Sequence, residues 1–115
     1  MTIQIFGAKK CAETRKAERF FKERGVELQL RDLDLAPPSR GELEKMAAVL
    51  PAGELLDRNS PAYKNGGYAY REFDPLEELE EQPRLLKTPL VRWGRHVSVG
   101  YTPELWAAWL REEQA

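Results

Sequence analysis

The spacing of apolar residues changes twice within the first 35 residues. Residues 2–6, TIQIF, are a short run of β-formers and predict a first strand. From Cys11 to about Arg24 the apolar residues share one face at helical spacing, which predicts a helix that stops at Gly25. Residues 26–35, VELQLRDLDL, alternate with period two and predict a half-buried second strand. The apolar side of this strand is formed by Val26, Leu28 and Leu30.

The middle of the chain, residues 36–86, is typical of several short helices. APPSRGEL interrupts the strand pattern, and Ser39 with Glu42 three residues later is the signature of a capping box. The helical apolar stripe that follows consists of Leu43, Met46, Ala47 and Leu50. DPLEELEEQPRLL predicts another helix, with Asp74 as its N-cap and Pro75 at the first helical position. The turn-rich run NGGYAYREF between them stays unassigned.

Two short strand patterns and a helix complete the sequence. PLVRWG and RHVSVG are separated by the Gly-Arg pair at 94–95, which predicts a tight hairpin. The Thr-Pro pair at 102–103 predicts the start of a last helix. Its core-facing side is predicted to consist of Leu105, Trp106, Trp109 and Leu110. By alternation His96 and Ser98 share a face of the second strand, and this face is predicted to point to solvent.

The order of elements is therefore β-α-β, a helical segment, and then β-β-α. This α/β order is that of a thioredoxin/glutaredoxin-like fold with a helical insertion in its middle. The length of 115 residues corresponds to about one domain and suffices for a hydrophobic core. The prediction is a single domain over residues 1–115, with a thioredoxin-like core at about 1–35 and 86–115 and the insertion at about 36–85.

Composition and charge narrow the classes of function. Apolar residues make up 42% and charged residues 32%, as in ordinary globular proteins, and the formal net charge is −1. This balance gives no general attraction to nucleic acid or to an anionic membrane. No run approaches the ~18 consecutive apolar residues of a membrane span. In MTIQIFGAKKC the apolar residues precede the lysines, the reverse of a secretory signal, which predicts a cytoplasmic protein.

Cys11 is the only cysteine, so the chain has no internal disulfide, and a lone thiol suits a reducing compartment. His96 is the only histidine and is distant in sequence, so there is no zinc signature. Cys11 stands where the first helix begins, among Lys9, Lys10 and Arg15. The positive end of the helix and these cations favour the thiolate, the nucleophilic form of cysteine. The alternative is a packed, unreactive thiol, because free cysteines are often buried.

The segment IFGAKKCAETRKAERFFKERGVE resembles the opening of the ArsC/Spx family of thioredoxin-fold proteins. The likeness continues through LDLAPPSRGEL, ELLDRNSPAYK, QPRLLKTPLVRWG and VSVGYTPE, and so extends over essentially the whole chain. The resemblance implies thiol redox chemistry at Cys11, no bound cofactor, and glutathione as the external reductant. It is closest to small ArsC-like proteins of the YffB type, proposed to be glutathione-dependent thiol reductases, which also have a lysine where this chain has Lys9.

The resemblance also implies roles for residues around Cys11, which would form a mixed disulfide that glutathione resolves. Pro89 matches the cis-proline that faces the cysteine in thioredoxin folds, and Thr88 before it is placed to pair with an extended peptide or glutathione. Tyr101 is expected to line the same pocket. From spacing alone, Thr14 lies one helical turn after Cys11, where its hydroxyl is positioned to hydrogen-bond the thiolate. The cations expected to attract glutathione carboxylates are Lys9, Lys10 and Arg15.

Two departures from the family pattern limit this transfer. Arsenate reductases of the family hold their oxyanion with three arginines. The residues of this chain at those positions are Asp57, Thr88 and Tyr101. Arsenate is best held by bidentate guanidinium groups, so arsenate reduction is disfavoured, although Arg58 and Lys87 are nearby cations. Spx regulators carry a Cys-x-x-Cys switch, and its second position is Thr14 here.

The leading prediction is a cytoplasmic ArsC-family thiol redox protein, a glutathione-dependent thiol oxidoreductase that uses Cys11 on an unknown substrate. One alternative is a non-enzymatic, Spx-like regulator that binds RNA polymerase or another protein. The other is an arsenate reductase. The expected partner is glutathione or a small thiol substrate, and under the first alternative a protein. No direct binding to nucleic acid or membrane is expected.

Overall fold

The computed structural model of the chain describes residues 2–114. The first elements are β1 (Ile3–Gly7), α1 (Ala12–Glu23) and β2 (Leu28–Asp32). The middle contains α2 (Arg40–Ala47), α3 (Pro61–Asn65), α4 (Pro75–Glu81) and the short 3-10 helices Ala52–Leu55, Tyr68–Tyr70 and Pro83–Leu85. The last elements are β3 (Leu90–Trp93), β4 (His96–Val99) and α5 (Pro103–Gln114). Within the described residues, no helix is long and apolar enough to cross a membrane. Residues 1 and 115, the predicted limits of the domain, lie outside this part.

The strands of residues 2–114 form a four-stranded mixed sheet in the order β2-β1-β3-β4. β1 is parallel to β2 and antiparallel to β3, and β3 is antiparallel to β4. Trp93 pairs with His96, so the turn between β3 and β4 consists of residues 94–95, as predicted. Gly94 has a φ of 60°, a left-handed conformation that glycine adopts without strain at the first position of such a turn. The predicted thioredoxin/glutaredoxin-like α/β fold is confirmed.

Helices cover both faces of the sheet. On one face α1 and α5 pack against β1 and β3. The buried members of this cluster are Ile3, Ile5, Ala17, Phe20, Phe21, Val91, Trp93, Trp106 and Trp109. On the opposite face the helices between β2 and β3 cover Phe6, Leu90 and Val97. The inserted segment is therefore helical, as predicted, and supplies the hydrophobic core of one whole side of the sheet.

The helices begin where the local sequence indicates. Ser39 Oγ accepts a hydrogen bond from the Glu42 N–H at 3.2 Å, and the Glu42 carboxylate accepts one from the Ser39 N–H at 2.9 Å. This capping box at α2 is confirmed. At α4 the Asp74 carboxylate accepts from the Leu76 N–H at 3.1 Å, and Pro75 occupies the first helical turn. Each cap satisfies an N–H group that the helix itself leaves unpaired.

The face of β4 assigned to solvent is covered by α5. Ser98 is 3% exposed, and its hydroxyl accepts a 2.8 Å hydrogen bond from the Trp106 indole N–H. His96 stacks on Trp109 with ring centroids 4.9 Å apart, and its Nε2 lies 3.2 Å from the Glu112 carboxylate. The prediction that this face points to solvent is wrong at Ser98, whereas His96 stays partly exposed. Alternation separates two faces without showing which one a helix covers.

Two leucines predicted to lie in the core are exposed. Leu105 is 44% exposed, because the side of α5 that meets the sheet is centred on Trp106 and Trp109 and the preceding residue is rotated by ~100°. Leu30 is 41% exposed on β2, which has only β1 as a neighbouring strand among the described residues. Leu28 on the same strand does pack against the cluster of α1 and α5. The second strand is therefore present as predicted but shorter, Leu28–Asp32 instead of residues 26–35, and the predicted burial is wrong at Leu30.

Candidate functional site

Cys11 is the N-cap residue of α1 and is partly exposed. Its backbone is extended, with φ −81° and ψ 113°, and its carbonyl accepts the Arg15 N–H at 3.3 Å. A side chain at an N-cap lies beside the first N–H groups of the helix, which have no partners within the helix. The prediction that the thiol stands at the start of the first helix is confirmed.

Thr88 lies next to the sulfur although 77 residues separate it from Cys11 in sequence. Its hydroxyl donates a hydrogen bond to Cys11 Sγ at 3.5 Å. The Thr88–Pro89 peptide bond is cis, as the resemblance implied. The Pro89 carbonyl accepts the Gly100 N–H at 2.9 Å, which connects this segment to the residue after β4. The fold thus brings Thr88 and Pro89 to the thiol.

Thr14 approaches the sulfur from within α1. It is 2% exposed, and its hydroxyl oxygen has no hydrogen-bond partner among residues 2–114. A Cβ at Gly7 would lie 2.4 Å from Thr14 Oγ1 and 2.5 Å from its Cγ2, so the threonine occupies the space that a larger residue at position 7 would need. A neutral thiol is a weak acceptor, whereas a thiolate accepts strongly. The Thr14 hydroxyl is therefore a buried donor without a partner among the described residues, and it is one of the groups that favour the ionised form of Cys11.

The pKa of Cys11 is lowered from its ordinary value. Partial burial of the thiol raises the pKa, but the nearby hydroxyls of Thr14 and Thr88 and backbone N–H groups of Thr14 and Glu13 favour the thiolate and outweigh this effect. Of these donors, Thr88 forms a hydrogen bond to the sulfur in the structure. The neighbouring cations are not among these causes. Lys9, Lys10 and Arg15 are exposed, where solvent and salt screen their charge. The donors around the sulfur are therefore the named cause of the lowered pKa, and a contribution from the cations stays a prediction.

A cleft of about 740 Å³ lies next to Cys11, within the usual size range of ligand-binding clefts. Cys11 itself is not one of its lining residues; Lys10, which precedes Cys11, and Thr88, whose hydroxyl reaches Cys11 Sγ, are. Thr88 lines this cleft together with Lys9 and Lys10 from the loop between β1 and α1. The other charged residues in its walls are Asp32, Asp34, Asp57 and Arg84. The cleft beside Cys11 therefore contains charges of both signs.

Asp57 and Thr88 line this cleft. They occupy two of the three positions where arsenate reductases have arginine. Tyr101, at the third position, does not. Its ring packs against Trp106 with centroids 5.6 Å apart, Lys16 Nζ lies 5.7 Å from its centroid, and it lines a separate groove along α1. The structure therefore brings Thr88 and Asp57 into the surroundings of the thiol and places Tyr101 elsewhere.

Three other candidate cations lie outside the walls of the cleft. Arg15, predicted to attract glutathione carboxylates, and Arg58 and Lys87, the cations near the arginine positions, are not among the described residues that line it. Arg58 Nη2 and Lys87 Cε instead lie 3.7 Å from where Cβ atoms at Gly53 and Gly100, respectively, would be.

Sequence reasoning missed Asp32, Asp34 and Arg84 as residues of the cleft. Arg84 donates from Nε and Nη2 to the two carboxylate oxygens of Asp34, at 3.0 and 3.2 Å, across 50 residues of sequence. The only local signal was the pair of aspartates in RDLDL at the end of the second strand, where parallel strands commonly present functional side chains.

The fold and the position of Cys11 define the class of a thioredoxin-like protein with a single cysteine at the start of its first helix. The model of the ArsC family matches residues 6–109. The global transcriptional regulator Spx 2 of Oceanobacillus iheyensis is 33% identical over 107 residues, which cover 88% of this chain and 78% of that protein. The regulatory protein MgsR of Bacillus subtilis is 27% identical over 88% of this chain and 84% of its own length. This chain belongs to the ArsC family.

Solved structures agree on the fold. The structure of a YFFB protein matches with a TM-score of 0.83 and 24% identity, covering 92% of this chain and 96% of that one. A putative ArsC-family-related protein of Bacteroides fragilis matches with a TM-score of 0.81 and 25% identity, covering 94% and 98%. The chain is thus an ArsC-family protein related in sequence to Spx regulators and similar in structure to ArsC-related proteins.

Proposed function

We propose that this protein is a glutathione-dependent thiol oxidoreductase in which Cys11 is the nucleophile. The observation that supports this proposal most is the hydroxyl of Thr88, which donates a hydrogen bond to Cys11 Sγ at 3.5 Å and belongs to a residue that lines an open cleft. A thiolate attacks disulfides, whereas a thiol does not. The donors of Thr14 and Thr88 would thus maintain the reactive form of Cys11 where a substrate can reach it.

The proposed reaction has two exchange steps. The Cys11 thiolate attacks the glutathionyl sulfur of a mixed disulfide R–S–S–G, forming Cys11–S–S–G and releasing R–S⁻, which takes a proton from water. The thiolate of a second glutathione then attacks the glutathionyl sulfur of Cys11–S–S–G, so that oxidised glutathione leaves and the Cys11 thiolate is restored. The two electrons that reduce R–S–S–G are balanced by the oxidation of two glutathionyl groups to one disulfide.

The composition of the cleft supports a disulfide substrate over an oxyanion. Arsenate carries negative charge and requires cationic donors such as guanidinium groups. Asp57 and Thr88 occupy two of the arginine positions, and Asp57 would repel the anion. A site of this composition is poorly suited to arsenate reduction. Exchange with glutathione requires a reducing compartment, so the proposal includes a cytoplasmic location.

A Spx-like regulator that binds RNA polymerase or another protein is the second candidate function. It is favoured by the sequence similarity to Spx 2 and MgsR, which are regulators. Regulation through binding requires no turnover by Cys11. Purified RNA polymerase immobilised on a sensor surface would test this candidate. A regulator is expected to bind it with equal affinity before and after Cys11→Ser, whereas an oxidoreductase is expected to bind it only at background level.

The proposed function is tested by two measurements on the full chain. The rate of alkylation of the single cysteine is followed against pH, and the reduction of a glutathionylated peptide is followed by coupling oxidised glutathione to glutathione reductase and NADPH. We expect an alkylation midpoint below that of free cysteine, about pH 8.5, and turnover that Cys11→Ser abolishes. A midpoint at the free value, or turnover no faster than that of Cys11→Ser, would overturn the proposal.

A further inference from the structure

We propose that the cleft beside Cys11 selects disulfides that carry a primary ammonium group, and that Asp57 and Asp32 recognise this group. The proposal rests on the proposed function of Cys11 and names the class of its substrate. It follows from the arrangement of charges in the cleft, which differs from the set of arginines that an oxyanion needs.

The lysines and the aspartates of the cleft come from different segments of the chain. Lys9 and Lys10 immediately precede Cys11 in the loop between β1 and α1. The aspartates come from the end of β2 and from the segment before α3. Arg84, the cation that accompanies them, is held by both oxygens of Asp34. The same cleft thus contains the ammonium groups of Lys9 and Lys10 and two carboxylates, those of Asp32 and Asp57, that no bidentate arginine holds.

Asp32 and Asp57 each use one carboxylate oxygen in a local turn. Asp32 Oδ1 accepts the Asp34 N–H at 2.8 Å, and Asp57 Oδ1 accepts the Asn59 N–H at 3.0 Å. Neither carboxylate forms a salt bridge within the described residues. A carboxylate has about four acceptor sites, so each retains the capacity to bind an ammonium group. The turns fix the direction of both side chains before a ligand arrives, which reduces the entropy lost on binding.

The backbone places both carboxylates close to the segments that position the sulfur. Asp57 N–H donates to the Leu85 carbonyl at 2.8 Å, on the segment that leads directly to Thr88. Asp32 is paired with Gly7, the last residue of β1 before the loop of Cys11. A disulfide with one sulfur against Cys11 therefore has room for a substituent in the cleft next to Thr88, which the aspartates and the lysines also line.

A substrate that matches this cleft carries an ammonium group that the aspartates bind. A carboxylate on the same substrate is compatible with the cleft, because Lys9 and Lys10 line it as well. Disulfides with amino-acid end groups, glutathione disulfides among them, have both. Disulfides with carboxylates alone place like charges next to Asp32 and Asp57, and such repulsion contributes to specificity as much as attraction does.

Three symmetrical disulfides that differ in charge test the proposal on the full chain. They are cystamine, which is cationic, bis(2-hydroxyethyl) disulfide, which is neutral, and 3,3′-dithiodipropionate, which is anionic. The rate at which each forms a mixed disulfide with Cys11 is measured by mass spectrometry for the native chain, Asp57→Asn and Asp32→Asn. Asparagine keeps the Oδ1 acceptor of each turn and removes the charge. The matched control is Asp74→Asn, which makes the same change at the N-cap of α4, outside the cleft.

We expect Asp57→Asn and Asp32→Asn each to slow cystamine by about threefold, the effect of one partly exposed charge pair. The neutral disulfide is expected to react at an unchanged rate and the anionic one faster, while Asp74→Asn changes none of the three. Comparing each variant with the native chain cancels the intrinsic reactivity of each disulfide. Equal changes for all three disulfides, or no change for any, would overturn the proposal.

Failure of this proposal and failure of the proposed function give different results. Without an activated thiolate, the native chain reacts with the neutral disulfide no faster than it does after unfolding in urea at the same pH. Without recognition of an ammonium group, the native chain reacts rapidly with the neutral disulfide, but the variants show no dependence on charge. Circular dichroism of each variant establishes that it is folded before the rates are compared.

Discussion

Thr14 and Gly7 fit so closely that a Cβ at position 7 would lie 2.4 Å from Thr14 Oγ1. Real Cβ atoms do not approach an oxygen to this distance, so β1 and α1 meet here only because one of the two residues has no side chain. Gly7 lies four residues before Cys11 in sequence, and Thr14 lies three residues after it. Their contact involves the buried Thr14 hydroxyl, one of the groups that lower the pKa of Cys11. Gly7 therefore contributes to the reactivity of the thiol as well as to packing.

Gly7→Ala is expected to reduce both stability and thiol reactivity. The added methyl group must displace Thr14 or separate β1 from α1, which costs about 1–3 kcal/mol in the free energy of unfolding. Displacement moves a donor away from the thiolate, so the pKa of Cys11 rises and alkylation requires a higher pH. Urea unfolding and the pH dependence of alkylation measure the two effects.

Gly41→Ala is the matched control for this prediction. Gly41 lies in α2, and the nearest atom to a Cβ there, Ser39 Oγ, is 4.0 Å away. This substitution is expected to increase the free energy of unfolding by about 0.4–1 kcal/mol and to leave alkylation unchanged. If Gly7→Ala behaved like Gly41→Ala, the proposed contact between Gly7 and Thr14 would be refuted.

The hydroxyl of Thr88 is expected to be a separate determinant of the pKa of Cys11. Thr88→Val keeps the shape of the side chain but removes the donor, so the pKa of Cys11 rises and exchange with oxidised glutathione at pH 7 slows. Thr88→Ser retains the hydroxyl and is expected to restore most of the rate. The measurement is the pH profile of alkylation in both variants. Identical profiles for the valine and serine variants would show that the hydroxyl has no effect on the sulfur.

Local signals in the sequence were sufficient where both partners lie within one helical turn. The capping box of Ser39 and Glu42 and the position of Thr14 relative to Cys11 follow from a spacing of three residues. Ser98 illustrates the opposite case. Its partner Trp106 belongs to a helix whose placement depends on the packing of the entire sheet, and no pattern within β4 indicates which face that helix covers.

The candidate site shows the same division between local and distant contacts. The thiol at the start of a helix was predicted from residues 7–16 alone, and cations close in sequence suggested a cause for its ionisation. The structure adds the hydroxyl of Thr88, 77 residues away, which contacts the sulfur. The resemblance to a family placed Pro89 opposite Cys11 and gave Thr88 only a backbone role, so this hydrogen bond was not predicted, because long-range pairing leaves no periodic signal. Asp32 and Arg84 had no such signal and appeared only with the folded cleft.

Ser98→Ala is expected to destabilise the packing of α5 on the sheet. It leaves the buried indole N–H of Trp106 without its 2.8 Å acceptor, which costs about 1–3 kcal/mol in the free energy of unfolding. Alkylation of Cys11 is expected to be unchanged, since neither residue lines the cleft. Urea unfolding followed by tryptophan fluorescence measures the effect. A loss below about 0.5 kcal/mol, typical of surface substitutions, would mean that the hydrogen bond contributes little.

Glu42 connects the inserted helices to the sheet and provides a prediction that depends on pH. Its carboxylate accepts a hydrogen bond from Arg31 on β2 and lies 3.8 Å from Arg92 on β3. Partial burial raises the pKa of Glu42, but the hydrogen bonds and charge of Arg31 and the backbone N–H of Ser39 outweigh burial and lower the pKa below its ordinary value. The ionised carboxylate therefore stabilises the folded chain.

Glu42→Gln is expected to reduce the free energy of unfolding by about 1–3 kcal/mol at neutral pH, because Arg31 loses a charged acceptor while glutamine still completes the cap. Since folding lowers the pKa, the contribution of Glu42 is fully present above its unfolded pKa and is lost as the pH falls through the folded pKa. The difference in the free energy of unfolding between the native chain and the variant, measured by urea unfolding, must therefore shrink on acidification below about pH 4.3, the usual pKa of glutamate.

The control is Glu44→Gln, which removes a more exposed carboxylate on the same helix and is expected to change the free energy of unfolding by less than about 0.5 kcal/mol. A difference for Glu42→Gln that persisted undiminished in acid would show that its cost arises from packing rather than from charge.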